Sequence, residues 1–146
     1  YIEEILLKKI PKFHDKFKTN ILYVCQPFNE DNLLDIDAIN YFFSKLLKLK
    51  SNIIKVRLRL HPLETKDKYI SLITEYKNKF EIDLSIDTPL SDDLNWSDCV
   101  VGMHAQALAV AVEFGLNTFY CIPPKGKECV LPHTEILNFD QYKEFF

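Results

Sequence analysis

The chain has 146 residues with a formal net charge of −3 at pH 7, and 47% of its residues are hydrophobic. This length and composition suit one folded domain with a sizeable core, and the seven Tyr and eleven Phe exclude a disordered chain. The slightly acidic balance excludes a protein that binds nucleic acid through a basic surface.

Segments with the pattern of strands alternate with segments that have the pattern of helices. The predicted strands are 20–25, 53–60, 82–86, 98–101 and 117–122. The predicted helices are 2–9, 32–49, 66–80, 104–114 and 141–146, with a short turn or helix that begins at Thr88-Pro89. This order predicts a Rossmann-like three-layer α/β sandwich with a mostly parallel sheet of about five to six strands. Residues 20–146 form the predicted domain, and residues 1–19 a helical or linker segment.

Local signals place the ends of several helices. Thr65 is a candidate N-cap for the third helix, and Pro89 suits the first position of the short helix. Gly115 is the expected C′ residue of the helix that starts near His104. The spacing along the third helix predicts an inward face made of Tyr69, Ile70, Ile73, Tyr76 and Phe80.

The four cysteines do not have the spacing of a metal site or of a redox pair. Cys25, Cys99 and Cys121 lie in or beside predicted buried strands, and Cys129 follows in a later loop. We interpret them as small core residues of a protein in a reducing compartment, and we predict no metal ion.

Two strand ends carry the features that point to a ligand. His61-Pro62 directly follows the second strand, and Gly102 ends the fourth strand just before an apolar helix. The first strand also ends in a Gln26-Pro27 loop. Ligands of open α/β sheets bind beyond the carboxyl ends of the strands, and a helix N-terminus there suits phosphate. The sequence therefore predicts part of a nucleotide-sugar site at this edge.

Two cations lie in the second strand, and a histidine directly follows it. Pro62 holds His61 in an extended exit loop, where the imidazole could contact a phosphate or leaving-group oxygen, or cap a nearby loop. Arg57 and Arg59 point to the same face of the strand. They either pair with carboxylates of a covering helix or, for Arg59, contact phosphate.

The helix after Gly102 has a polar stripe. Gln106 and Glu113 are its only polar residues between Ala105 and Phe114, and they lie seven apart on one side. We expect the stripe to face a ligand or a buried partner, the alternative being that Glu113 pairs with a lysine or caps a loop. His104, at the helix start, could cap it, bind phosphate or be exposed.

Three further groups are weaker candidates. Lys127 lies in the Lys125–Lys127 loop, which could close over a diphosphate or simply be solvated, and His133 follows in the same region. Asp92 and Asp93 fit the first turn of a short helix, where carboxylates complement the helix dipole. Glycine-rich dinucleotide, Walker A and GxSxG motifs are absent from the sequence.

The segments Arg59-Leu60-His61-Pro62 and 98–108, followed by Glu113-Phe114-Gly115, resemble the C-terminal donor-binding domain of GT-B type glycosyltransferases. The resemblance covers about residues 20–122 and is closest to bacterial sialyltransferases and related capsule or lipooligosaccharide transferases. It implies that His61, with Arg59 and Pro62 beside it, contacts the phosphate of a CMP-sugar and protonates the departing nucleotide.

The same resemblance implies that backbone N–H groups of the turn bind phosphate, and that Glu113 lies near the ribose or base. The turn residues are Gly102, Met103, His104, Ala105 and Gln106. Sialyltransferases of this type have serines where Met103-His104-Ala105 stands here, which leaves UDP- and GDP-sugar donors open.

The resemblance implies a donor-binding half that transfers a sugar onto a surface glycan only together with a second, N-terminal domain that holds the acceptor and the catalytic base. Since the chain begins at Tyr1, we expect a fragment of such a protein. The alternatives are a CDP-glycerol-type transferase, a GT-B-like sugar-nucleotide epimerase and a non-catalytic binding module. We expect a cytoplasmic protein, at the inner face of the membrane or free of it, with no cofactor besides its CMP-sugar donor substrate.

Overall fold

Parallel strands form the centre of the structure, a computed structural model that describes residues 18–25, 35–48, 53–103, 106–121 and 136–139. Within these ranges the strands are β1 (Lys18–Val24), β2 (Ile53–Arg59), β3 (Glu81–Ser85), β4 (Cys99–Gly102), β5 (Asn117–Tyr120) and β6 (Ile136–Asn138). The helices are α1 (Asp35–Leu46), α2 (Ile70–Tyr76), α3 (Leu90–Trp96) and α4 (Gln106–Glu113), and a 3-10 turn (Lys66–Tyr69) precedes α2. All five predicted strands are present, whereas β6 was not predicted. The predicted helices at 2–9 and 141–146 lie outside the described residues.

The strand order explains where a ligand would bind. The sheet reads β3-β2-β1-β4-β5-β6, and every neighbouring pair is parallel. This is the order of the doubly wound Rossmann fold, in which the direction of winding reverses between β1 and β4. The predicted fold class is therefore confirmed, and its switch point lies between the strands that end at Val24 and Gly102.

Each face of the sheet has its own core, because alternate strand residues point to opposite sides. One face packs against α1 and α2 and contains most of the aromatic residues that the structure describes. There the ring of Phe42 lies 4.9 Å from that of Tyr23 and 5.4 Å from that of Phe139. Aromatic contacts of this kind add about 0.5–1.5 kcal/mol each to the burial of apolar area. The other face packs against α3 and α4 through Leu22, Val24, Leu94, Val100, Leu108 and Ala111.

The third predicted helix differs from its prediction. It begins as the 3-10 turn and ends at Tyr76 rather than at Phe80, and the Thr65 side chain makes no capping hydrogen bond. Tyr69, Tyr76 and Phe80 are nevertheless buried and Ile73 packs against the core, as predicted. Ile70, which was also predicted to face inward, is 53% exposed. It directly follows Tyr69, and consecutive residues of a helix point to different sides.

The ends of the other helices follow their sequence signals closely. Pro89 is the N-cap of α3, one position earlier than predicted. Gly115 adopts φ of 89° after α4, as expected for a C′ glycine. The Gly115 N–H donates to the Val112 carbonyl and the Leu116 N–H to the Ala111 carbonyl. These two bonds define a Schellman motif, which turns the chain from α4 into β5.

The described cysteines belong to the core. Cys25, Cys99 and Cys121 are buried and free of disulfide bonds, which confirms their predicted role as small core residues. Cys129 lies outside the described residues. In the described part of the chain, no helix has the length and apolar character needed to cross a membrane.

Candidate functional site at the carboxyl edge of the sheet

The residues that end β2, β1 and β4 form one row across the sheet. Arg59 pairs with Val24, and because Tyr23 pairs with Val101, Gly102 follows opposite Val24. Neighbouring strands lie about 4.8 Å apart, so the exits of β2 and β4 are about 10 Å apart, on either side of β1. The structure thus brings His61 and Gly102 to the same edge, next to the switch point.

His61 occupies a tight turn immediately after β2. The Glu64 N–H donates to the His61 carbonyl at 2.9 Å, which closes a β-turn with Pro62 in its second position. The Leu63 N–H donates to His61 Nδ1 at 3.2 Å. Both His61 and Pro62 are exposed. The turn therefore presents an accessible imidazole whose Nδ1 already accepts a hydrogen bond from the backbone.

A carboxylate lies beneath this turn. One oxygen of Glu64 accepts the His61 N–H at 2.9 Å, and the other accepts the Lys68 ammonium at 2.6 Å and the hydroxyl of the buried Tyr69. The Glu64 side chain is 2% exposed. A carboxylate so far removed from water requires such donors, and it fixes the turn to the start of α2.

The exit of β4 is closely packed. A Cβ on Gly102 would lie 3.3 Å from Leu108 Cδ2 and 3.4 Å from the Val24 carbonyl oxygen, so glycine lets α4 approach the sheet. Met103 is 2% exposed and packs with Ala38 of α1. Its side chain is therefore a core residue, and any ligand contact by Met103 would use its backbone. His104 and Ala105 lie outside the described residues.

Arg59 has protein partners. Its Nη1 donates to Asp93 Oδ2 at 2.8 Å and to the Thr88 carbonyl at 2.6 Å. Asp93 is fully buried and also accepts the Ser85 hydroxyl at 2.5 Å. Asp93 lies in the first turn of α3, so the alternative in which the strand arginines pair with carboxylates of a covering helix is confirmed. A phosphate contact by Arg59 stays a prediction.

Arg57 belongs to the same group of charges. It contacts Asp83 at 3.2 Å and Asp93 at 3.3 Å, and its guanidinium lies 4.0 Å from the centre of the Trp96 ring. Burial by itself lowers the pKa of Arg57, but the hydrogen bonds and charges of Asp83 and then of Asp93 reverse this and raise it above its usual value. Arg57 thus stays charged and holds β2, β3 and α3 together.

The polar stripe of α4 lies on the exposed side of the helix. Gln106 and Glu113 are exposed, and so is Val110 between them. Since a helix rises 1.5 Å per residue, Glu113 lies about 10 Å along the axis from Gln106, at the amino edge where β5 begins. The structure brings Gln106 to the carboxyl edge with His61, and it separates Glu113 from both.

Several predicted site residues belong to parts of the chain that the structure does not describe. Lys127, His133 and the Gln26-Pro27 loop lie outside the described residues, as do His104 and Ala105. Within the described ranges, no group of three or more His, Cys, Asp or Glu side chains could hold a metal ion.

Two residues at this edge have roles that were not predicted from the sequence. Glu64 follows His61 by three positions, the spacing with which a side-chain carboxylate reaches back to a backbone N–H in a capping box. That spacing was a usable signal. Asp93 was predicted as a dipole-complementing residue, and only the packing of α3 against β2 reveals it as the partner of two arginines.

Comparisons with known proteins show a distant structural similarity. No protein-family model matches this chain, and no curated protein matches it. Among solved structures, the chain is similar to KpsC of Thermosulfurimonas dismutans, a beta Kdo 2,4 transferase, with 10% sequence identity and a TM-score of 0.46. The similarity covers 82% of this chain and 44% of the KpsC chain. Similarity of this extent identifies neither an activity nor a substrate.

Proposed function

We propose that this chain is the donor-binding half of a glycosyltransferase that uses a nucleotide-activated sugar, with CMP-sialic acid as the favoured donor and a surface glycan as the acceptor. The observation that supports this proposal best is the placement of the His61 turn and the Gly102 exit at one edge of a parallel sheet, flanking its switch point. The acceptor and the catalytic base would come from a second domain. We therefore expect this chain alone to bind the donor and to transfer nothing.

The phosphate of the donor would be held by N–H groups. His61 is exposed and its Nδ1 is occupied by the Leu63 N–H, so Nε2 is the nitrogen available to a phosphate oxygen. The N-terminal turn of α4, which begins after Gly102, offers backbone N–H groups and the positive end of a helix dipole. The His61 side chain and the backbone N–H groups of α4 have fixed directions, so together they suit an anion of defined shape.

The main alternative is a binding module without catalysis. It is favoured by the turn after Gly102, because Met103 is buried and lies in the segment where the sialyltransferases that this chain resembles have serines. A CDP-glycerol-type transferase and a sugar-nucleotide epimerase would use the same edge of the sheet. A transferase and an epimerase differ in the fate of the sugar, which is moved to an acceptor in one case and isomerised in the other.

Thermal unfolding in the presence of CMP, CDP, UDP and GDP tests the proposal. A ligand at about a hundred times its dissociation constant adds about 2.7 kcal/mol to the free energy of unfolding. We expect CMP or CDP to stabilise the wild-type chain and the Glu113→Ala variant, because Glu113 lies at the opposite edge. His61→Ala should lose most of this stabilisation.

The other outcomes distinguish a different donor, a different location of the site and a binding module without a nucleotide. Stabilisation by UDP or GDP alone would keep the nucleotide-sugar site and change its donor. Stabilisation that Glu113→Ala removes and His61→Ala keeps would contradict the proposed location. If none of the four nucleotides stabilises the wild-type chain at millimolar concentration, the donor-binding proposal fails for this chain and the non-nucleotide binding module takes its place.

A further inference from the structure

Glu64 lies in the turn after β2, and the donors of its hydrogen bonds belong to that turn and to the 3-10 turn before α2. Its side chain is 2% exposed although it lies in a loop beside the exposed His61. Its two oxygens accept hydrogen bonds from the His61 backbone, from Lys68 and from Tyr69. Burying a carboxylate is costly, and here three donors offset that cost at the base of one turn.

The turn that Glu64 supports fixes the chemical form of His61. Neutral imidazole carries its proton on one nitrogen, and the other nitrogen accepts. Because Nδ1 accepts the Leu63 N–H at 3.2 Å, the proton is on Nε2. Nδ1 faces the turn, so the Nε2–H group is directed away from it. Protonation of Nδ1 would bring two N–H donors face to face and break this contact.

We propose that Glu64 is the positioning residue of His61: it holds the His61–Glu64 turn so that the neutral imidazole carries its proton on Nε2 and directs this N–H outward to a phosphate oxygen. The identity of the acceptor depends on the proposed function, whereas the tautomer does not. In this form His61 donates a hydrogen bond to the phosphate through its Nε2–H group.

Side-chain nitrogen NMR of the 15N-labelled 146-residue chain reads the tautomer directly. At about pH 8 an ordinary histidine is neutral, and long-range proton–nitrogen correlations separate the two tautomers. We expect His61 of the wild-type chain to be the Nε2–H form. In Glu64→Ala and Glu64→Gln, His61 should become a mixture of both tautomers. Glu75→Gln, which changes an exposed glutamate of α2, should leave the wild-type signal.

The affinity for CDP, measured on the same samples, links the tautomer to the site. Loss of one directed hydrogen bond to an anion should weaken CDP binding about tenfold or more in both Glu64 variants, and Glu75→Gln should bind as the wild type does. Glu64→Gln keeps the side-chain volume and one acceptor oxygen, so it carries the test if Glu64→Ala does not fold.

Two results would overturn the proposal. One is an Nδ1–H tautomer of His61 in the wild-type chain. The other is a folded Glu64 variant that retains both the wild-type tautomer and the wild-type affinity. If the wild-type chain has no affinity for CDP but the Glu64 variants change the tautomer, the positioning role of Glu64 stands and the proposed donor fails.

Discussion

Replacing Asp93 by Asn should destabilise the protein by about 2–3 kcal/mol, because Asp93 is the buried acceptor of two arginines. Its carboxylate is fully buried and contacts Arg59 at 2.8 Å, Arg57 at 3.3 Å and the Ser85 hydroxyl at 2.5 Å. Asparagine has nearly the same shape. It keeps one acceptor oxygen but turns the other position into a donor that faces other donors.

The expected loss of unfolding free energy follows from the solvent exposure of Arg57 and Arg59. Removing one member of a buried ion pair costs about 3–5 kcal/mol when the other charge stays buried. Here the side chains of Arg57 and Arg59 are 22% and 23% exposed, and Arg57 keeps its contact with Asp83. Water can therefore solvate part of each guanidinium, which reduces the expected loss to about 2–3 kcal/mol.

Urea unfolding of wild type, Asp93→Asn and Asp92→Asn measures this loss. Asp92 lies in the same first turn of α3 but is exposed, so its variant has the same change of charge and the same position in the helix dipole. We expect Asp92→Asn to lose less than about 1 kcal/mol. If the two variants have the same midpoint and slope within error, the ion-pair group around Asp93 does not stabilise the fold and the reasoning above is refuted.

Two further predictions concern stability. Gly115→Ala should cost about 1 kcal/mol, because φ of 89° places a Cβ in the left-handed region; a urea midpoint equal to that of the wild type would contradict this. Burial, together with the charge of Glu75, raises the pKa of Tyr76 above its usual value, so folding favours the protonated phenol. This contribution is complete below the unfolded pKa of about 10 and is lost as the pH rises through the folded pKa. Between pH 9 and about pH 11 the wild-type chain should therefore lose more unfolding free energy than Tyr76→Phe does, and parallel losses in urea titrations would rule out this role of Tyr76.

The sequence predicted the fold well because each strand and helix carries its own periodic signal. Val56 and Leu58 alternate with Arg57 and Arg59, which identified β2 and the two faces of its strand. The order of strands and helices then implied parallel pairing, and parallel pairing placed His61 and Gly102 at one edge. These inferences need only local patterns and topology, so they hold without knowledge of any side-chain contact.

The prediction failed where tertiary packing decides. Ile70 is exposed although it was assigned to the inward face, because the helix turns Tyr69 and Tyr76 toward the core and Ile70 lies to one side of them. On α4 the polar residues lie on the exposed side together with Val110, because a helix packed on a sheet by one face leaves small apolar residues in solvent on the other. The seven-residue spacing of Gln106 and Glu113 gave their common side correctly and said nothing of their separation along the helix axis.

Carboxylates buried in the protein, rather than free cations, organise the described part of the carboxyl edge. Arg59 donates to Asp93 and Lys68 donates to Glu64, so the positive charge of both side chains is balanced within the fold. A phosphate that binds beside them would gain more from N–H groups of fixed direction than from net charge. N–H groups of fixed direction favour a ligand of matching shape, and the Nε2–H group proposed for His61 is such a donor. The pairing of these cations is thus the reason that the orientation of His61, and with it Glu64, should matter more to donor binding than the arginines of β2.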